Sequence, residues 1–182
     1  DLSLALAVAQ VGSWVLDFTR NEMHWSPEAR RIIGLREGIN LSLDDFLAHV
    51  VHPDDQAMVK QFRRATLKGE PSEVEYRLVR GDEIRWASSR AERILDPAGN
   101  IVRYVGTMRD ITERRRAELG QEHAKRVLAQ VIDSTPIPTF VIDAEHRVTQ
   151  WNRACELVLK IPAADMVGTK DPWKAFYRKP RP

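Results

Sequence analysis

The chain has 182 residues, enough for one or two domains with cores of their own. Its 43% hydrophobic and 30% charged residues are those of a folded globular protein, and a net charge of +2 without a clustered basic face argues against a nucleic-acid partner. A single cysteine, Cys155, rules out an intrachain disulfide and points to a reducing, cytoplasmic compartment. The densest basic run, Arg114 to Arg116, is interleaved with Glu113, Glu118 and Glu122 and reads as a solvated helix face. No apolar run is long enough to span a membrane, so no membrane contact is expected. Leu2 to Val11 is apolar but too short, and too plainly flanked, for a secretory leader. The chain opens on Asp1 and closes on Arg181-Pro182, and is expected to be a piece of a longer polypeptide.

Residues 2–10, rich in Ala and Leu, predict a helix apolar on nearly every side, one that needs a sheet or a partner chain to cover it. Gly12-Ser13 is expected to break it. Trp14 to Phe18 predicts a short strand, Thr19 to Glu22 a turn, and Met23 to Trp25 a second strand. Ser26-Pro27-Glu28 is a helix start, with Ser at the cap and Pro in the first turn, and Gly34 ends that helix after Ile32 and Ile33. Ser42 opens another short helix bearing Phe46, Leu47 and Val50. His52-Pro53-Asp54-Asp55 caps the next, with Met58, Val59, Phe62 and Ala65 at helical spacing. Three extended segments follow, Glu73 to Arg80, Glu83 to Leu95 and Asn100 to Asp110, joined by Gly81-Asp82 and by the turn Asp96-Pro97-Ala98-Gly99. Two short strands, small helices and three long antiparallel strands make an α+β fold with the helices on one side of the sheet.

The last strand runs directly into a charged helix at Asp110-Ile111-Thr112-Glu113. Asp110 or Thr112 can cap the free amides of that helix, with Glu113 favourable at its positive end. A change in the sheet would pull on the first turn, so Asp110, Ile111 and Thr112 form a candidate signalling junction.

The C-terminal third repeats the beginning. A shift of 126 positions carries Trp14-Val15-Leu16-Asp17 onto Phe140-Val141-Ile142-Asp143, Trp25 onto Trp151, and Ser26 onto Asn152. It also carries Ile32-Ile33 onto Val158-Leu159, Leu35 onto Ile161, and Leu2 and Leu6 onto Leu128 and Ile132. The second copy reaches Pro182 before any counterpart of the three long strands, so it is expected to be half a domain, poorly anchored near Trp173 to Pro182.

These residues together resemble the PAS domain family. The resemblance is carried by Gly12-Ser13-Trp14, His52 to Asp55, Tyr76-Arg77, Arg85-Trp86, Asp96 to Gly99 and the closing Asp110-Ile111-Thr112-Glu113. Gly81-Asp82 departs from the usual Asp-Gly order of the turn. Pro136 to Trp173, with Asn152-Arg153-Ala154 at the cap, is similar to the first half of a second PAS domain. The resemblance implies a five-stranded antiparallel sheet cradling a small cavity, a long linker helix, and a partial second domain. The expected division is a PAS domain over 1–112, a signalling helix over 113–132 and the N-terminal half of a second PAS domain over 133–182. It also implies a sensor whose output, a histidine kinase, a cyclic-dinucleotide enzyme or a transcription factor, lies outside these residues.

What fills the cavity divides the family. Flavin-binding members use a reactive cysteine in an Asn-Cys-Arg setting, and the equivalent region here, Phe46 to Lys68, has none. Cys155 reads as a buried core thiol on a face with Leu159. A haem would need an axial ligand such as His49 or His52. His49 follows Phe46 by three and would face inward, but a lone His beside an apolar face is ordinarily structural; His52 reads as a turn and capping residue that neighbouring carboxylates can hold charged. No Cys/His set has zinc spacing, so no metal is expected. No nucleophile elbow, phosphate loop or HExxH motif is present, and no catalytic residue is assigned. The expectation is a non-enzymatic module without a cofactor, a haem- or flavin-dependent receptor being the alternative. If the sheet curls, Phe46, Val50, Met58, Phe62, Tyr76, Leu78, Trp86 and Met108 line an apolar pocket for a small-molecule ligand; otherwise they pack solidly against one another.

Ala117, Gly120, Ala124, Val127 and Val131 recur at three- and four-residue steps along the linker, a seam suited to a two-helix contact. Gly120 weakens the helix by up to about 1 kcal/mol. The expected partner is a second copy of the chain, met through the linker and the apolar N-terminal helix.

Overall fold

The computed structural model describes residues 10–18, 20, 22–70, 72–172 and 176. The helix expected over residues 2–10, apart from Gln10, residues 19 and 21 of the turn after Phe18, and most of 173–182 lie outside these. The chain forms two units, residues 1–116 and 117–182.

In the first unit β1 (Val11–Asp17) and β2 (Glu22–Trp25) form a hairpin, and β3 (Ser72–Arg80), β4 (Glu83–Leu95) and β5 (Ile101–Asp110) follow after the helices. All pairs are antiparallel, and the sheet order is β2-β1-β5-β4-β3. Gly12 and Ser13, where the expected helix was to end, belong to β1. Gly12 pairs with Met108, and a Cβ on it would lie 2.6 Å from the Cα of Ala29, so glycine there lets the first helix close onto the strand.

That helix, α1 (Pro27–Ile33), starts and stops on local chemistry. The Ser26 side chain accepts from the Ala29 amide, and Gly34, at φ 75°, takes the left-handed turn that closes the helix. Its buried Ala29, Ile32 and Ile33 join the core. α2 (Leu43–Asp45) is a single turn that widens into a π-helical turn over Phe46–Val50. A 3-10 turn at Pro53–Asp55 leads into α3 (Gln56–Lys68), which ends on Gly69 at φ 81°. α1 to α3 pack on one face of the sheet, over the side chains that alternate inward from the strands: Leu16 on β1, Tyr76 and Leu78 on β3, Ala87 on β4, and Tyr104 and Met108 on β5.

A long helix, α4 (Thr112–Ser134), follows β5 after one residue. In the second unit β6 (Phe140–Ile142) and β7 (Val148–Trp151) form a hairpin, followed by α5 (Arg153–Leu159) and α6 (Ala163–Met166). The repeat read from the sequence extends to the hydrogen bonds. Trp14 faces Trp25 across the first hairpin and Phe140 faces Trp151 across the second. Ser26 Oγ accepts from the Ser13 and Ala29 amides, and Asn152 Oδ1 accepts from the amides of Thr139 and Cys155, the same positions shifted by 126. The Trp25 indole N–H donates to the Leu41 carbonyl and that of Trp151 to Ile161. The copies diverge at the helix: Ile32 is buried, whereas its counterpart Val158 is 63% exposed.

Candidate functional site

A cavity of about 40 Å³ lies between the sheet and the helices of the first unit. The hairpin contributes Trp14, Leu16, Met23 and Trp25, the π-helical segment Phe46 and Leu47, and α3 Val59, Phe62, Arg63 and Thr66. The long strands contribute Tyr76, Ser89, Ala91, Tyr104 and Met108. Trp14 can turn across the sheet because its partner in β5 is Gly106, where a Cβ would stand 2.3 Å from the indole ring. The aromatic rings touch in sequence: Trp25 and Phe46 at 5.1 Å, then Phe46 and Tyr76 at 6.3 Å, edge to face. The Tyr76 and Ser89 hydroxyls are 2.9 Å apart. Burial pushes Tyr76 up to about 12, the Ser89 hydrogen bond acting in the opposite direction.

Of the eight residues expected on a pocket wall, Phe46, Phe62, Tyr76 and Met108 line this one. Val50, Met58, Leu78 and Trp86 lie elsewhere, each for a reason of register. Met58 is 40% exposed because the inward row of α3 runs Val59, Phe62, Arg63, Thr66. Leu78 is buried in the core beside the helices, at the bridge from β3 to Val51, and Val50 packs against that core. Trp86 stands opposite Arg77, one residue out of phase with the inward pair Tyr76 and Ala87, so its ring is on the outer face. There the guanidiniums of Arg77 and Arg115 lie 5.9 and 5.1 Å from the ring centroid. Trp14, Arg63 and Ser89 line the cavity and were not singled out from the sequence as pocket residues, nor was Gly106 as the strand partner that makes room for Trp14. Pairing Trp14 with Gly106 needs the β1–β5 register, which the chain order alone does not supply.

The π-helical turn also decides the histidines. It turns Phe46 and Leu47 inward and leaves His49, weighed above as an axial ligand, exposed: at more than four residues per turn, a spacing of three no longer shares a face. His52 caps the 3-10 turn, its Nδ1 accepting from the Asp54 amide at 3.3 Å. Cys155 is fully buried beside Trp151 and Met166, and burial raises its thiol above the ordinary value. Among the described residues no group of three or more His, Cys, Asp or Glu side chains could hold a metal ion, and no helix is long and apolar enough to cross a membrane.

The junction is built from β4 as much as from β5. The Ile111 amide donates to the Trp86 carbonyl at 2.9 Å, and the Trp86 amide donates to Thr112 Oγ1 at 2.9 Å. The Asp110 carboxylate accepts from the Thr112 amide at 2.9 Å and from its hydroxyl at 2.5 Å, while its other oxygen takes Arg85 at 3.0 Å. Ile111 is buried, and the Arg115 amide donates back to its carbonyl at 2.9 Å. Glu75 on β3 accepts from both Arg114 and Arg115 of the first helical turn. Those guanidiniums hold the Glu75 carboxyl below its usual range, against the opposing effect of burial, which is the largest single influence on it. The first turn of α4 is thus tied to two strands by hydrogen bonds and ion pairs.

The PAS fold is matched by the sequence at residues 22–108 and again at 127–170. A blue-light-activated histidine kinase from Brucella ovis is 33% identical over 129 residues, 70% of this chain and 26% of that protein. The chain thus spans about a quarter of the length of the kinase relatives it matches. Among solved structures, a sensory box histidine kinase/response regulator from Burkholderia thailandensis superposes with a TM-score of 0.55 at 29% identity, covering 71% of this chain and 98% of that one. An RNA-binding light-oxygen-voltage receptor superposes at 0.51 with 25% identity, covering 68% and 36%. By matched sequence and by shared sheet alike, the chain belongs to the PAS fold family of sensory proteins.

Proposed function

We propose that these residues form a non-enzymatic sensory and dimerisation module of a cytoplasmic signalling protein. The state of the apolar cavity is relayed through Asp110, Ile111 and Thr112 into α4, and from there to an output domain of the same polypeptide, a histidine kinase or a cyclic-dinucleotide enzyme. The observation that carries this reading is the hydrogen bond from the Trp86 amide to Thr112 Oγ1, which ties the first helical residue to β4. The strand that bears Trp86 also presents Ser89 and Ala91 to the cavity. Small differences suffice for such a relay, since about 1.4 kcal/mol changes a population ratio tenfold.

Dimerisation is supported by the seam on α4. Ala117, Gly120, Ala124, Val127 and Val131 are all exposed, and so are the larger Leu119 and Leu128. An apolar row of this kind on a charged helix suits a second copy of itself. Sedimentation of the protein is expected to show a dimer that Val127→Asp with Val131→Asp dissociates; a strict monomer at high concentration removes the dimer.

The relay is tested by filling the cavity with xenon under pressure and following amide hydrogen exchange at residues 113–120. Exchange is expected to change severalfold in the wild type and to stay constant in Thr112→Val, with xenon bound in both. Xenon uptake that leaves these amides unchanged in the wild type overturns the relay.

A second reading, a flavin-dependent light receptor, is favoured by the names of the blue-light-activated and light-oxygen-voltage relatives. The residues do not fit that group. The cavity wall carries no thiol, and the one cysteine of the chain is buried in the second unit. At about 40 Å³ the cavity is under a third of the ~150 Å³ that holds a single benzene ring, whereas a flavin carries three fused rings. A purified protein without visible absorption is the expected result.

A further inference from the structure

We propose that the indole ring of Trp86 couples the helical wall of the cavity to the junction, across the outer face of the sheet. This rests on reading the cavity as the sensory site and α4 as its outlet. The main chain of β4 is one connection between the two, since that strand presents Ser89 and Ala91 to the cavity. The side chains of the outer face make another, and it starts from α3.

α3 supplies Val59, Phe62 and Thr66 to the wall, so a guest that presses on the wall presses on α3. The 3-10 turn at the start of α3 is fastened to Arg77 of β3. Asp55 accepts from the guanidinium and from the backbone amide of Arg77, and the His52 amide donates to the Arg77 carbonyl at 2.9 Å. The same guanidinium lies over the ring of Trp86, its partner across β3 and β4, at 5.9 Å from the centroid. A planar cation can stack on an indole and still donate its hydrogen bonds sideways, so Arg77 holds Asp55 and Trp86 at once.

Trp86 is then held at both ends. Its ring meets the cation that fastens α3, while its main chain meets the helix: the carbonyl accepts from the Ile111 amide and the amide donates to Thr112 Oγ1. Displacement of α3 passes through Asp55 and Arg77 to the ring, and from the main chain of Trp86 to Thr112. Ring and main chain act in series, so Thr112 remains the last step. Arg115, in the first turn of α4, seats the ring against the helix, its guanidinium 5.1 Å from the centroid and its carboxylate partner Glu75 on the same face of β3 as Arg77.

The test is Trp86→Leu, which removes the ring, keeps both main-chain bonds and leaves the cavity wall untouched. Xenon is admitted under pressure, its entry is read at the methyl resonances of Leu47 and Val59, and amide exchange is followed at residues 113–120. Each variant is compared with and without xenon, so a general loss of stability cancels from the ratio. The wild type is expected to respond severalfold, and Trp86→Leu to take up xenon without the response. Trp86→Phe, which restores a smaller aromatic face, should respond more than Trp86→Leu. Trp86→Val, β-branched and suited to a strand, replaces the Leu variant if that one does not fold. A response of wild-type size without the ring, or equal responses from the Phe and Leu variants, overturns the ring as carrier and leaves the sensory reading standing on the main chain of β4. If xenon enters the wild type and its amides do not respond, the relay and this inference fall together.

Discussion

Asp55 and Arg77 fasten the 3-10 turn before α3 to the edge strand β3. The carboxylate accepts the Arg77 Nε at 3.0 Å, its Nη2 at 2.6 Å and its backbone amide at 2.8 Å. These bonds, the side-chain ones foremost, hold the Asp55 carboxyl below its ordinary value although it is buried. A depressed folded value means that the group contributes its full stability above the unfolded value of about 4, and loses it as the pH falls through the folded value. Asp55→Asn is expected to lower stability by about 2 kcal/mol at pH 7 and to flatten the acid limb. Urea denaturation at intervals from pH 7 down to pH 2 measures both.

Tyr76 titrates in the opposite sense. With its hydroxyl pushed up to about 12 in the folded protein, its contribution is complete below the unfolded value of about 10 and disappears as the pH rises from there to about 12. Tyr76→Phe leaves the Ser89 hydroxyl buried without its partner and is expected to cost about 1–2 kcal/mol at pH 7. The advantage of the wild type over the variant should shrink across pH 10–12, as read by thermal unfolding of the pair.

Thr112 is the hinge of the junction, and its hydroxyl is the acceptor for the Trp86 amide. Thr112→Val keeps the shape and removes that acceptor, at an expected cost of about 1–2 kcal/mol. Amide exchange at Trp86 and in the first turn of α4 should accelerate, and Thr112→Ser should restore protection.

Asn152 carries the second unit in the way that Ser26 serves the first, with more bonds. Besides its two accepted amides, its Nδ2 donates to the carbonyls of Ile132, Thr135 and Ile137 at 3.0, 3.2 and 2.9 Å, and the residue is buried. Asn152→Ala is expected to cost about 3 kcal/mol and Ser26→Ala about 1 kcal/mol. Exchange of the amides over residues 137–160 should report the difference.

Local chemistry was sufficient for much of this protein. The cap at Ser26, the left-handed stop at Gly34, the strands Glu83–Leu95 and Ile101–Asp110, and the hairpin repeat from Trp14/Trp25 to Phe140/Trp151 are all written in neighbouring residues, because caps, turns and alternation act over a few positions. The cavity wall was legible only in half. Phe46, Phe62, Tyr76 and Met108 are apolar residues at inward positions, but Met58 and Trp86 look equally suitable in the sequence and are turned away by one residue of register. The π-helical turn that exposes His49 left no signal in composition, and Arg63 reads as an ordinary helix arginine although it lies on the cavity wall. Which elements form was decided by short-range preferences along the chain; which side chains meet was decided by strand register and helix phase, which are fixed only when distant segments pack together.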